Sequence, residues 1–130
     1  MLREVGEALA AALEEIFVQI EFYEGQFERF DEEVVNPPAC YIEYIMGEPA
    51  ADNEPLGKLN LVLHVLTSRL ERDPGNMLDI LESIVTKLHD KGLRDTKNTY
   101  LGRAFVGNFS NTIVHDGLSA FEVNIKVVRG

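Results

Sequence analysis

Along the first sixteen residues, Leu2, Val5, Leu9, Ala12, Leu13 and Ile16 recur at steps of three and four, while Glu4, Glu7, Ala11, Glu14 and Glu15 fall largely off that stripe. Residues so spaced share one side of an α-helix, and the pattern predicts an amphipathic helix. The period then drops to two. Val18, Ile20 and Phe22 alternate with Gln19 and Glu21, as in a half-buried strand that ends at Glu24-Gly25. Asn36-Pro37-Pro38 punctuates the chain, because proline lacks an amide donor and forces its predecessor into extended geometry. A second strand is predicted directly after it, with Cys40, Ile42, Tyr44 and Met46 on one face and Ala39, Tyr41, Glu43 and Ile45 on the other.

From Gly47 to Gly57 the chain carries Pro49, Pro55, Asp52 and Asn53, a composition that favours an exposed connection. Lys58 to Thr67 reads as a strand with Leu59, Leu61, Leu63 and Val65 on one face and Asn60, Val62, His64 and Leu66 on the other. Apolar residues on both faces mark a central strand or one covered by a partner. Asp73-Pro74 opens a second helix, along which Met77, Leu78, Leu81, Ile84, Val85 and Leu88 form the apolar stripe. Lys87, His89 and Lys91 crowd its last turn, and Gly92 is read as its C-terminal cap. Tyr100 to Phe109 then reads as a strand weakened by Gly102 and Gly107. Asp116-Gly117 signals a hairpin, and Phe121, Val123, Ile125 and Val127 alternate with Glu122, Asn124 and Lys126 in a last strand.

This order of elements predicts an α+β protein: a largely antiparallel four- to five-stranded sheet with two helices packed on one face, residues 1–130 forming a single domain. Two helices, each about 10 Å wide, roughly cover four strands at about 4.8 Å spacing on one side only. Val62, Leu66 and Val128 on the opposite face therefore point to coverage by another copy of the chain.

The composition narrows the function. Twelve Lys and Arg against twenty-two Asp and Glu give a net charge of −10, which opposes binding to a nucleic-acid backbone. The one cysteine, Cys40, excludes an internal disulfide and a cysteine-based zinc cluster, and a reducing, cytosolic site of synthesis is expected. Met1 to Glu15 lacks the basic start and unbroken apolar run of an export signal, and no stretch approaches the roughly 20 apolar residues of a membrane span.

Motifs for chemistry fail at the residues that would perform it. Gly102 and Gly107 have phosphate-loop spacing, but Asn108 and Phe109 stand where Lys and Ser or Thr must be. Of the three histidines, His64 is the one expected to be buried; His89 and His115 belong to a helix end and a turn, and none has metal-ligand spacing. Ser110 lies outside a nucleophile elbow, and Cys40 reads as a small core residue. Asp31 or Glu33 with Glu43 could in principle form an acid–base pair, but an acidic run such as Asp31-Glu32-Glu33 is ordinarily a solvated loop. Tyr23, Phe27 and Phe30 more simply seal a core than form a ligand platform. The chain is thus expected to be no enzyme, with no catalytic, cofactor-binding or metal site.

In Phe22-Tyr23-Glu24-Gly25, Phe30-Asp31-Glu32-Glu33 and Pro37-Pro38-Ala39-Cys40-Tyr41-Ile42, the chain resembles tail terminator (tail completion, minor tail) proteins of long-tailed bacteriophages. Those proteins similarly have an N-terminal helix, an aromatic strand ending in an acid and glycine, a Phe-Asp-Glu loop and a Pro-Ala strand. The doubled proline and the glycine-rich Tyr100 to Phe109 strand depart from that pattern. The resemblance implies a structural role: a ring, hexameric in the family, that caps the tail tube and presents the head-joining surface. Implied partners are other copies of itself, the tail tube protein and a head–tail connector or neck protein, with assembly in the bacterial cytoplasm into the virion tail. Neither specific nucleic-acid binding nor a membrane is implied. Candidate assembly contacts are Val62 and Leu66 on the second sheet face, and Glu48, Asp52 and Glu54 in a connection expected to become ordered on assembly. The rival reading is a small α+β ligand-binding or catalytic dimer.

Overall fold

The computed structural model describes residues 2–23, 38–48, 57–68, 74–112 and 118–128. Helix α1 (Leu2–Leu13) is followed by strands β1 (Gln19–Tyr23), β2 (Ala39–Glu48) and β3 (Lys58–Ser68). Helix α2 (Pro74–Leu88) then leads into β4 (Lys91–Arg94), β5 (Tyr100–Thr112) and β6 (Leu118–Val128). The strands form one sheet in the order β1-β2-β3-β6-β5-β4. The α+β class is as expected, but the sheet has six strands where four to five were predicted. It is also mixed: β1 runs parallel to β2, and the other neighbours are antiparallel.

The additional strand comes from the segment read as the end of the second helix. Asp90, at φ 58°, takes the left-handed position that closes α2, so Gly92 is free to lie within β4 opposite Arg103. A tight turn returns the chain to β5. The Asp95 carboxylate accepts the N–H groups of Lys97 and Thr99 at 2.9 and 2.8 Å, and Asn98 takes the left-handed conformation at φ 64°. Gly102, at φ 148°, sits where a Cβ would come within 2.9 Å of the Val128 carbonyl, so the close pairing of β5 with the end of β6 depends on glycine.

Both helices pack on one face. Val5, Leu9 and Leu13 of α1 and Ile80, Ile84 and Leu88 of α2 meet Cys40, Ile42, Leu61, Leu63, Phe121, Val123 and Ile125 in one core. At about 25 cal/mol per Å² of apolar surface, these side chains dominate the stabilisation. Helix α1 touches both edge strands, β1 and β4, so the sheet curls around it. The α2 stripe differs from the predicted one: Ile80 is buried, Leu81 is half-buried, and Leu78 and Val85 face outward.

The second face of the sheet also differs from expectation. Ala39, Tyr41, Glu43, Val62, His64, Leu66 and Ala120 are all buried there within the chain itself. Coverage by another copy is not needed to remove Leu66 from water.

Candidate functional site

The register of β2, β3 and β6 builds a polar cluster on that second face. His64 lies opposite Tyr41 on one side and Glu122 on the other, and Glu43 is two residues along from Tyr41. Residues two apart on a strand share a face, which brings both carboxylates to the imidazole. His64 Nε2 is 2.9 Å from Glu43 Oε1, and Nδ1 is 3.5 Å from Glu122 Oε1. The His64 and Glu43 side chains are 8% and 9% exposed, against 41% for Glu122. Gln19 Nε2 donates to the Tyr41 hydroxyl at 3.4 Å, extending the polar row to the sheet edge.

This arrangement suits register better than reactivity. The two carboxylates address opposite ring nitrogens, so the three side chains do not converge on one point as metal ligands must. Among the described residues, no group of three or more His, Cys, Asp and Glu is placed to hold a metal ion. A charge-assisted bond between buried partners instead pins β2 against β3 at one alignment.

The other described candidates, Cys40 and His89, are taken up in packing and hydrogen bonding. Cys40 is fully buried, and burial pushes its thiol up, away from the reactive thiolate. His89 braces the middle of β5: its Nδ1 accepts the Val106 N–H at 3.0 Å, and its ring meets Phe105 edge-on at 6.0 Å. Asp31 and Glu33, like Phe27, Phe30 and His115, lie outside the described residues. Glu43 therefore meets His64, a pairing that strand parity could have flagged once β2 and β3 were known to be neighbours.

Of the candidate assembly contacts, Val62 is 9% exposed and lines a concavity of about 390 Å³, whereas Leu66 is fully buried and has no surface to offer a neighbour. Glu48 ends β2 opposite Lys58, and Asp52 and Glu54 lie outside the described residues. The concavity is also lined by Ile45, Asn60, Phe105, Asn124 and Lys126, of which Ile45 is 54% exposed. A second cleft of about 420 Å³ separates Glu4 and Glu7 of α1 from Arg94 and Lys97 at the β4–β5 turn. Leu78 and Val85 complete the exposed apolar surface on α2. Both belong to the predicted apolar stripe, because the helical period alone does not say how wide the covered stripe is.

Among the described residues, no helix is long and apolar enough to cross a membrane. No family model matches the chain, and no curated protein matches it. A solved structure does: a chain in the virion of a native gene transfer agent particle matches with a TM-score of 0.52 and 12% sequence identity. The match covers 92% of this chain and 82% of that chain, so the likeness is one of fold and extends over nearly the whole protein.

Proposed function

We propose that this chain is a non-enzymatic structural protein of a phage-like virion, and more narrowly a tail terminator that forms a ring on the end of the tail tube and presents the surface to which the head joins. The observation that carries this reading is the fold shared with a virion chain, supported by the terminator-like segments from Phe22 to Ile42. The described chemistry agrees with it. His64 and Cys40 are enclosed in the sheet and serve packing and register, while His89 is exposed.

The partners on this reading are further copies of the chain, the tail tube protein and a neck or connector protein. Its net charge of −10 suits a ring through which DNA slides, since like charge prevents adhesion. The test is deletion of the coding sequence from the phage or prophage that carries it, followed by electron microscopy of the particles. Tails without heads, restored to complete virions by adding the purified protein, are expected. Normal joined virions from the deletion strain would refute the tail role. A ligand-binding or catalytic dimer predicts instead a compact two-subunit particle with turnover or saturable small-molecule binding.

A further inference from the structure

We propose that the outer face of α2 on one copy of this chain seats on the basic β4–β5 hairpin of the next, a head-to-tail contact between two different surfaces. The inference deepens the ring reading above and rests on it for its biological setting.

Helix α2 has an apolar side too many. Ile80, Ile84 and Leu88 already fill its place in the core, yet Leu78 and Val85 are 57% and 39% exposed. Their spacing of two helical turns puts them on one line, with Glu82 between them and Asp79 beside it, both exposed. The opposite character appears further along the chain. Lys87, Lys91, Arg94, Lys97 and Arg103 are met only by Asp90 and Asp95 in that stretch, on a protein whose net charge is −10. All five cations are exposed.

Lys87 is engaged by Glu15 at 3.0 Å and Arg103 by Asp90 at 3.2 Å. Among the described residues, Lys91, Arg94 and Lys97 have no carboxylate at ion-pair distance, nor have Asp79 and Glu82 a cation. The hairpin also offers apolar ground for Leu78 and Val85. Tyr100 is half-buried with the Arg94 guanidinium 5.6 Å from its ring centre, and lysine stems cover apolar surface while their heads stay in water.

Charge complementarity selects a second copy as the occupant, because both halves of the contact are carried by every chain. Among the described residues, Arg94 and Lys97 make no ion pair across the cleft to Glu4 and Glu7 of α1, and Asp79 and Glu82 make none with the hairpin, so both surfaces are left for a second copy. A contact between two unlike surfaces repeats from subunit to subunit and closes into a ring when the rotation allows.

The test uses the full chain and two charge-reversed variants, Asp79→Lys with Glu82→Lys, and Lys91→Glu with Arg94→Glu, followed by sedimentation velocity at low salt. The wild type is expected to associate and to dissociate as salt rises. Each variant alone should bind itself at least about tenfold more weakly. A one-to-one mixture should associate again, since every junction then joins opposite charges. Circular dichroism checks that each variant folds, and the single reversals Glu82→Lys and Arg94→Glu, which keep the opposite charges the mixture requires, replace any that does not. A wild type that stays monomeric at low salt and high concentration overturns the proposal, as does a mixture that fails to associate. If the mixture associates but no variant alters head–tail joining, the contact stands and the tail role falls.

Discussion

The Tyr44 side chain lies directly over Gly6: its hydroxyl is hydrogen-bonded at the Gly6 backbone, and a Cβ on Gly6 would run into that oxygen and come within 2.6 Å of the Phe22 ring. A glycine inside a helix normally costs about 1 kcal/mol relative to alanine. Here the missing side chain is what lets α1 approach β1 and β2. Gly6→Ala is therefore expected to destabilise the protein by about 1 to 3 kcal/mol, overpacking outweighing the gain in helix propensity. Urea denaturation measures it, and a stabilised variant would show that α1 sits further from the sheet.

The same tyrosine carries a pH prediction. Burial raises the Tyr44 phenol above its ordinary value, more than the Gly6 hydrogen bond lowers it. The folded protein therefore holds that proton more tightly than the unfolded chain does. Its contribution is fully present below the ordinary phenol value of about 10 and is lost as pH rises through the folded value. Tyr44→Phe should flatten the fall of stability in that alkaline window, as thermal melts at a series of pH values would reveal.

Two polar contacts of nearly equal length offer a contrast in worth. His64 and Glu43 meet at 2.9 Å with side chains 8% and 9% exposed, while Lys87 and Glu15 meet at 3.0 Å with 44% and 76% exposed. Double-mutant cycles should give a coupling of about 1 to 3 kcal/mol for the first pair. The second should yield at most about 0.5 kcal/mol, because water screens it. Equal couplings would mean that the sheet face around His64 is wetter than its burial implies.

Along α2, Ile84→Ala should cost about 2 to 5 kcal/mol, as a fully buried side chain leaves a cavity. Leu78→Ala should change monomer stability by no more than about 0.5 kcal/mol, since that side chain is largely exposed. The half-buried Leu81 should fall between them. Chemical denaturation of the three variants at a concentration where the chain is monomeric gives the order directly.

Elements with a strong single period were legible in the sequence, as Val5, Leu9 and Leu13 on α1 and Leu61, Leu63 and Val65 on β3 illustrate. Strand β4 was not, because Lys91 and Gly92 look like the cationic end and cap of a helix, and a strand of four residues has too little alternation to argue otherwise. The parallel pairing of β1 with β2 depends on the path between them, which local pattern does not encode. For the polar cluster, burial of His64 was readable from its place on an apolar strand. Its partners Glu43 and Glu122 required the order of the strands, a tertiary fact.

The curl of the sheet around α1 also sets the order in which the protein can be built. Val5, Leu9 and Leu13 leave the ribosome first, but one of the two edges that α1 touches, β4, is made about eighty residues later. Until then the helix has no complete groove to enter, and its apolar stripe must wait in a collapsed but unfinished chain. Contacts so distant in sequence slow folding, because loop closure must precede the gain from packing. Slow, post-translational folding follows from this geometry, because β4 reaches the rest of the sheet only through β5 and β6, and the first helix can lock only once β6 has paired with β3.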